Sequence, residues 1–281
     1  MSLDSLRSSD GVFRVLAIDH RESLQRFIAP HDPQSVSRTQ IVDLKRDLIR
    51  AISPHATGVM LEPEYSIPGL VPELAPGVGF FAALEAQGYL DSPGDSVTSI
   101  MPGWSVEAAA ASGASCAKLL LPYHPDRPLA DRQVEVAAVV VAECRRVGIP
   151  IVLEPLFYDL DDPSDRQRVV LATAERFAAL GPDLLKLPFP VEPAADLSTA
   201  DRVAACRQIT EVCTQPWAIL SGGGSFESFV SQVRDAHAGG ASGFMVGRAL
   251  WAEAAMSAGA DRARLISETV MPRWRQLAAV E

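Results

Sequence analysis

The chain has 281 residues, a length that is normal for one closed α/β barrel. Its net charge of −10 argues against a nucleic-acid binder, although a local cluster of cations could still bind an anionic small molecule. With four scattered cysteines, no apolar run long enough to span a membrane and no apolar signal segment, we expect a cytoplasmic protein without a membrane partner.

Eight short apolar runs predict buried parallel strands, because each is continuous and rich in leucine or β-branched residues. They are RVLAID (14–19), GVMLEP (58–63), SVTSIM (96–101), CAKLLLP (116–122), PIVLEPL (150–156), DLLKLPF (183–189), PWAILSG (216–222) and GFMVGRA (243–249). The stretch before the third run, 69–95, is rich in proline and glycine, and we expect it to be partly loop.

Amphipathic segments between these runs predict helices, and Ser225 is expected to cap the last of them. The helical segments are 40–52, 131–148, 165–181, 200–213 and 225–240. Without a linker or a shift in composition, this alternation predicts a single α/β domain over residues 1–281 with the (β/α)8 TIM-barrel fold. An open doubly wound sheet is the alternative. The closing helix, 265–281, would offer a packing surface if the chain forms a homo-oligomer.

The placement of the lysines is unusual. Only three lysines occur among the 25 basic residues, and Lys45 lies in a polar helical segment where it needs no explanation. Lys118 and Lys186 instead lie inside apolar strand runs. Because arginine keeps its proton in proteins and a desolvated lysine can lose it, these two positions indicate chemistry that needs a neutral amine.

Polar residues stand near the outgoing ends of the predicted strands, where barrel enzymes place their catalytic groups. They are Asp19 with His20 and Arg21, Glu62, Lys118 with His124 beyond it, Glu154, Lys186, Ser221 and Arg248. A strand that meets water explains some of these, but Lys118, Glu154 and Lys186 are flanked by apolar residues on both sides. Charges in such positions are expected to pair or to neutralise.

Lys186 allows two interpretations. In the first it is a Schiff-base nucleophile, because desolvation and the neighbouring Lys118 cation favour a neutral amine, while Glu154 on the intervening strand shuttles protons. In the second, Lys186 and Glu154 form a buried ion pair without chemistry.

Glycine-rich turns follow the last two predicted strands. Backbone N–H groups at such turns and the dipole of the following helix favour an anion, and the loops after strands 7 and 8 commonly bind phosphate in barrels. The run Gly222 to Gly224, with Gly247 and Arg248, therefore predicts a phosphate or sulfonate site. Two ordinary tight turns are the alternative.

Several stretches, in order along the chain, resemble the class I tagatose-1,6-bisphosphate aldolases and the similar sulfofructosephosphate aldolases. They are RVLAIDHRESL (14–24), GVMLEPEYSIPG (58–69), CAKLLLPYHPD (116–126), IVLEP (151–155), DLLKLPFP (183–190) and the region 216–252. The resemblance implies a (β/α)8 barrel that uses no metal or other cofactor. It also implies retro-aldol cleavage of a phosphorylated or sulfonated ketose, through a lysine Schiff base, into dihydroxyacetone phosphate and an aldehyde.

The same resemblance implies individual roles. Lys186 matches the Schiff-base lysine, Glu154 the acid/base carboxylate, and Asp19 and Lys118 further polar groups of the active site. The residues matched to the substrate and phosphate cradle are Ser221, Gly222, Gly223, Gly247 and Arg248, with Arg21 beside them. His20 is also predicted to bind the substrate, a sugar phosphate or sulfosugar phosphate, and it stands where glutamine is common in the family.

Two other functions stay open at this point. His20, His124, Glu62 and Glu154 could converge on a divalent ion in a metal-dependent lyase or isomerase, although a metal site would leave the buried lysines unexplained. A non-catalytic barrel that binds a phosphosugar would show affinity without turnover.

Overall fold

The computed structural model describes residues 3–88, 92–192 and 195–280, and within them eight parallel strands close into a barrel in chain order. The strands are β1 Phe13–Ala17, β2 Gly58–Leu61, β3 Gly79–Ala83, β4 Cys116–Pro122, β5 Ile151–Leu156, β6 Leu184–Leu187, β7 Trp217–Leu220 and β8 Gly243–Val246. Phe13 lies opposite Gly243 where β8 closes onto β1. The predicted barrel is confirmed over the open sheet, while residues 1, 2, 89–91, 193, 194 and 281 of the predicted domain lie outside the described part.

The helices surround the barrel. They are α1 Glu22–Ile28, α2 Arg38–Ile52, α3 Val106–Ala111, α4 Ala130–Val147, α5 Arg166–Ala178, α6 Thr199–Val212, α7 Phe226–Ala238, α8 Arg248–Ala255, α9 Gly259–Leu265 and α10 Met271–Ala278. The connection from β2 to β3 carries only a 3-10 turn, Val71–Glu73. The Ser225 hydroxyl accepts a hydrogen bond from the Ser228 N–H and caps α7, as predicted. In the part of the chain that the structure describes, no helix combines the length and the apolar character needed to cross a bilayer.

The third strand was predicted in the wrong place. β3 is Gly79–Ala83, inside the segment expected to be partly loop, and residues 96–101 belong to the connection that follows it. Ile100 in that connection forms an isolated antiparallel bridge to Glu85, two residues beyond the end of β3. The prolines and glycines before β3 are typical of loops, so the sequence pattern did not indicate the continuous strand that follows them.

Apolar side chains fill the interior of the barrel and close its N-terminal end. The inner cluster takes one or more residues from every strand, including Phe13, Met60 and Phe81, and is joined by Leu6 from the 3-10 turn before β1. A β-carbon at Gly79 would lie 2.8 Å from a methyl carbon of Leu6, so glycine at this position leaves room for the Leu6 side chain at the closed end of the barrel. Because that end is closed by apolar groups, polar side chains can gather only at the opposite end.

Lys45, although it lies in a polar helical segment, is buried. Its ammonium group pairs with the Glu62 carboxylate, and both side chains are buried. Glu62 also accepts hydrogen bonds from the Ser66 hydroxyl and from the N–H groups of Glu64 and Tyr65. The pair therefore fixes α2 to the turn after β2, the connection that lacks an α-helix of its own.

We expect Lys45→Met to destabilise the protein by about 3 kcal/mol, because it leaves the Glu62 carboxylate buried without a counter-charge. Chemical denaturation of both proteins measures the difference. The double variant Lys45→Met/Glu62→Gln should recover part of the loss. A single variant as stable as the wild type would contradict this account of the pair.

Candidate active site

Alternation along the strands brings the predicted polar residues into one layer. Successive side chains of a strand point to opposite faces, so a residue two positions after an inward apolar residue also points inward. Cys116, Val152 and Leu184 belong to the inner apolar cluster. Two positions further along β4, β5 and β6 stand Lys118, Glu154 and Lys186, each buried. The charged layer thus lies directly above the apolar filling of the barrel.

Lys186 is buried in this charged layer. Its Nζ atom is 2.7 Å from Oε1 of Glu154 and 3.6 Å from the sulfur of Met60, and the residue is 5% exposed. The contact with Glu154 is the ion pair that the structural interpretation required. It is also the contact that a proton-shuttling carboxylate must make with an amine nucleophile, so the pair alone does not separate the two interpretations.

Lys118 has a different environment, with three carboxylates around it. Its Nζ atom lies 2.8 Å from Asp19 Oδ2, 2.7 Å from Glu85 Oε1 and 3.0 Å from Glu154 Oε2. Burial by itself raises the pKa of Asp19, but the nearby ammonium groups of Lys118 and Lys186 outweigh it and hold this pKa well below its usual range. Asp19 is therefore ionised, and a continuous chain of contacts joins it through Lys118 and Glu154 to Lys186.

Glu85 belongs to this layer although the sequence reasoning missed it. It stands two residues beyond β3 and lines the cavity, and misplacing β3 hid its position at a strand end. Arg21, predicted beside the phosphate cradle, lies against Glu85 instead. Its Nη2 atom donates to the Glu85 main-chain oxygen at 2.8 Å, and Arg21 does not line the cavity. The structure therefore removes Arg21 from the predicted cradle.

The glycine-rich turns after β7 and β8 lie side by side. Gly222 and Gly223 adopt φ values of 56° and 79°, which favour glycine. A β-carbon at Gly223 would lie 3.1 Å from Nη2 of Arg248, so the main chain passes directly over this guanidinium group. The Ser221 hydroxyl accepts a hydrogen bond from the Gly247 N–H at 3.4 Å, which ties the two turns together.

His20 lies beside these turns. Its ring packs edge-on against Trp251 with centroids 5.3 Å apart, and a β-carbon at Gly247 would come within 3.0 Å of its Cε1 atom. Burial, with further contributions from the Arg248 and Lys186 charges, outweighs the attraction of Asp19 and lowers the pKa of His20 to about 3. The imidazole is therefore neutral at physiological pH.

This pKa predicts a pH-dependent stability. In the unfolded chain histidine takes up a proton near pH 6.5, and in the folded protein His20 does so only near pH 3, so acidification through this window favours unfolding. The slope is at most about 1.4 kcal/mol per pH unit, reduced by the partial exposure of the ring. The NMR titration of the imidazole, assigned with His20→Gln, should show no protonation between pH 7 and 5. A midpoint near the ordinary value for histidine would contradict the prediction.

A cavity of about 380 Å³ opens above the charged layer. Its lining includes the predicted residues Asp19, His20, Lys118, Glu154, Lys186, Ser221, Gly222, Gly223, Gly247 and Arg248, together with Glu85. Arg166, at the start of α5, also lines it. Its Nε atom donates to the Phe189 oxygen at 2.9 Å, and its guanidinium carbon lies 5.1 Å from the centre of the Phe157 ring. The cavity thus has a charged floor, with Arg248 on the side of β7 and β8 and Arg166 on the side of β5 and β6.

The residues suggested for a metal site are not brought together. Glu62 is engaged by Lys45, and neither Glu62 nor His124 lines the cavity. Nδ1 of His124 accepts the Asp126 N–H at 3.2 Å, and its ring lies against Tyr158. Within residues 3–88, 92–192 and 195–280, no group of three or more His, Cys, Asp or Glu side chains is arranged to hold a metal ion.

Comparison with protein families identifies the class of protein to which this chain belongs. The model of the DeoC/LacD aldolase family matches residues 13–253. The chain belongs to this family. As a DeoC/LacD aldolase it is a carbon–carbon lyase, and the alternative of a non-catalytic binding barrel is set aside.

Individual relatives agree with this membership. A tagatose 1,6-diphosphate aldolase of Streptococcus pyogenes is 31% identical over 271 residues, which cover 87% of this chain and 82% of the relative. A tagatose 1,6-diphosphate aldolase of Listeria monocytogenes is 28% identical over 274 residues, covering 89% and 80%.

A solved archaeal fructose-1,6-bisphosphate aldolase, with its catalytic lysine covalently bound to the carbinolamine intermediate of its substrate, is similar in structure. It matches with a TM-score of 0.64 at 21% identity and covers 95% of this DeoC/LacD aldolase and 97% of that chain. At this identity the likeness shows the shared fold.

Proposed function

We propose that this aldolase cleaves a phosphorylated or sulfonated ketose into dihydroxyacetone phosphate and an aldehyde, with Lys186 as the Schiff-base nucleophile. The contrast between its two buried lysines carries the proposal. Lys118 faces three carboxylates, whereas Lys186 pairs with a single carboxylate, Glu154, among the described residues and lies at the cavity floor. Of the two amines, Lys186 is the one that can give up a proton and attack a carbonyl.

The first step is condensation. Oε1 of Glu154 accepts a proton from the Lys186 ammonium group, and the neutral amine attacks the ketone carbon of the substrate. Glu154 then returns the proton to the carbinolamine hydroxyl, which leaves as water and gives an iminium ion. The 2.7 Å contact is short enough for direct proton transfer.

The second step is cleavage. The ionised Glu154 takes the proton from the sugar hydroxyl on the carbon beyond the bond to be broken. As the aldehyde forms, the electrons of the breaking carbon–carbon bond pass to the iminium ion and give an enamine. Protonation of the enamine and hydrolysis release dihydroxyacetone phosphate and restore Lys186. Lys118, whose Nζ atom lies 3.0 Å from Oε2 of Glu154, is proposed to stay beside this carboxylate throughout the cycle.

The turns after β7 and β8 are proposed to bind the phosphate group next to the ketone. The turn after β7 with its two positive-φ glycines, the adjoining start of α7 and the Arg248 guanidinium group together supply N–H donors and positive charge at one side of the cavity. The names of the Streptococcus and Listeria relatives, which specify a 1,6-diphosphate, support a phosphorylated substrate. Arg166 is a candidate partner for a phosphate or sulfonate group at the other end.

We expect Arg248→Ala to raise KM for a ketose 1-phosphate by roughly 10- to 100-fold, because a charged hydrogen bond to phosphate is lost. Steady-state kinetics measure the change. Arg166→Ala is the matched control, and it should impair only substrates that carry a second anionic group. An unchanged KM in Arg248→Ala would remove Arg248 from the proposed phosphate site.

Borohydride trapping tests the function as a whole. The enzyme is incubated with a panel of phosphorylated and sulfonated ketoses in the presence of EDTA, reduced, and analysed by peptide mass spectrometry. Cleavage together with a reduced adduct on Lys186 supports the proposal. Cleavage that stops when EDTA is added, or cleavage without an adduct, refutes the Schiff-base mechanism.

The four cysteines bear on the location of the enzyme. All are free thiols, three are buried, and burial raises the pKa of Cys144 and Cys206 to about 12. Unpaired and unreactive thiols support the proposal of a reducing compartment such as the cytoplasm.

A further inference from the structure

Three carboxylate oxygens surround the Lys118 ammonium group. An ammonium group has three N–H donors and no acceptor, and three carboxylate oxygens lie within 3.0 Å of this nitrogen. Two of them, from Asp19 and Glu154, belong to residues already given roles in the site. The third is Oε1 of Glu85, and it makes the shortest of the three contacts.

Glu85 is itself held in one orientation. Its Oε2 atom accepts the Leu120 N–H at 3.1 Å, and its Oε1 atom lies 3.5 Å from Nη2 of Arg21. The same Arg21 atom donates to the Glu85 main-chain oxygen at 2.8 Å. Glu85 and Arg21 are each 2% exposed, so little water competes for these contacts. Both carboxylate oxygens are engaged, and Glu85 is therefore suited to hold another residue.

We propose that Glu85, anchored by Arg21, is a positioning residue that holds the Lys118 ammonium group between Asp19 and Glu154. The inference rests on the proposed function, because its effect on catalysis passes through the proton transfer between Glu154 and Lys186. Oε2 of Glu154 accepts no hydrogen bond from the described residues, so its 3.0 Å ion pair with Lys118 is the contact that restrains it and thereby aims Oε1 at the nucleophile. If Lys118 shifted, both oxygens of Glu154 would lose their alignment.

Glu85 also balances the charge of the layer. The carboxylates of Asp19, Glu85 and Glu154 face the cations of Arg21, Lys118 and Lys186. Removing the Glu85 charge leaves this layer with one excess positive charge in a buried region, where charges interact strongly. Every proton bound in the layer then becomes less favourable, including the one that must leave Lys186 before condensation.

The test is Glu85→Gln, assayed with the ketose that the wild-type enzyme cleaves. We expect kcat to fall by on the order of 10- to 100-fold, because Lys118 and Glu154 lose their alignment. We also expect the acid limb of the kcat/KM profile to move to lower pH by about one unit, because a negative charge is lost. KM should change little, because the turns after β7 and β8 are untouched.

Matched variants separate positioning from folding. Glu85→Asp keeps the charge and should keep the acid limb near its wild-type pH. Asp235→Asn removes a buried carboxylate charge that pairs with Arg202 outside the cavity, and it should lower stability without moving the limb. If Glu85→Gln does not fold, Arg21→Lys serves instead, because it keeps the charge but removes the Nη2 atom that contacts both the main-chain oxygen and the carboxylate of Glu85. A lower kcat at unchanged KM supports the proposal, and an unchanged kcat overturns it.

Trapping of the wild-type enzyme distinguishes the two ways in which the idea can fail. If wild-type Lys186 forms the reduced adduct and folded Glu85→Gln keeps the wild-type kcat and acid limb, this inference is overturned and the proposed function stands. If wild-type Lys186 forms no adduct, the proposed function is refuted and the inference falls with it.

Discussion

Replacing Lys186 with alanine is expected to lower kcat by about 10⁴-fold or more, because the covalent route through a Schiff base is lost. The side chain lies at the floor of the cavity and pairs with Glu154. Removing it leaves Glu154 in contact with Lys118, so the carboxylate keeps a counter-charge and the barrel should stay folded. Single-turnover assays and borohydride trapping with the preferred ketose measure the loss.

Lys186→Arg is the sharper companion variant. It keeps a positive charge beside Glu154 but cannot condense with a ketone, because arginine stays protonated in proteins. A purely structural ion pair would tolerate this change with much of its activity intact, whereas the proposed mechanism predicts a loss as large as for alanine. Because only three lysines occur in the chain, peptide mapping assigns any adduct unambiguously. An adduct on Lys118 would overturn the assignment.

Replacing Glu154 with glutamine is expected to lower kcat by roughly 10²- to 10⁴-fold, the range of general acid–base catalysis. Glutamine keeps the size of the side chain and can accept a hydrogen bond from Lys186, but it cannot carry a proton between the amine and the carbinolamine. Lys118 retains Asp19 and Glu85, so its position should be preserved. Pre-steady-state kinetics should locate the loss in the formation of the iminium ion and in bond cleavage.

A conservative variant controls for the loss of the contact itself. Glu154→Asp restores a carboxylate that is too short to make both lysine contacts as well as glutamate does. It should recover part of the activity that glutamine abolishes. If Glu154→Gln instead turns over as fast as the wild type, another group shuttles the proton, and Asp19 would be the next carboxylate to examine.

Most of the charged layer was predictable because its signal is local. An apolar run around Lys118, Glu154 or Lys186 predicts a strand. Barrel enzymes carry their active sites at the C-terminal ends of the strands, and this rule predicts the end of the barrel at which these side chains lie. Neither step requires knowledge of which strands are neighbours in space. The whole-chain resemblance to class I aldolases agrees with the family match over residues 13–253.

Glu85 was missed although a signal for it exists. The run GFFAALE (79–85) has the same form as GVMLE (58–62), a glycine followed by apolar residues and a glutamate. Because prolines and glycines precede it, this segment was expected to be partly loop, and the third strand was predicted at residues 96–101 instead. A count of apolar residues in short windows, made without regard to the neighbouring turns, would have found β3 and with it the third carboxylate.

Partners of the buried charges could not be read from the sequence in the same way. Arg21 is predicted beside the phosphate cradle and binds Glu85, while Lys45, in a polar helical segment, pairs with the buried Glu62. In each case the side chain is long enough to reach several strand ends, so its place along the chain leaves its partner open. The homo-oligomer stays a prediction, because it depends on contacts beyond one chain.

The sequence by itself determined the order of the strands, the side of the barrel that carries chemistry, and most of the groups available there, because strand apolarity and side-chain alternation act over a few residues. The contact between Lys186 and Glu154 was expected from the sequence, but only the tertiary structure showed the partners of Lys118, Arg21 and Lys45. Lys118 joins Glu85 across 33 positions of sequence, and Lys186 meets Met60 across 126. Such contacts exist only once the barrel has closed, and they divide the two buried lysines into a fixed cation and the proposed nucleophile.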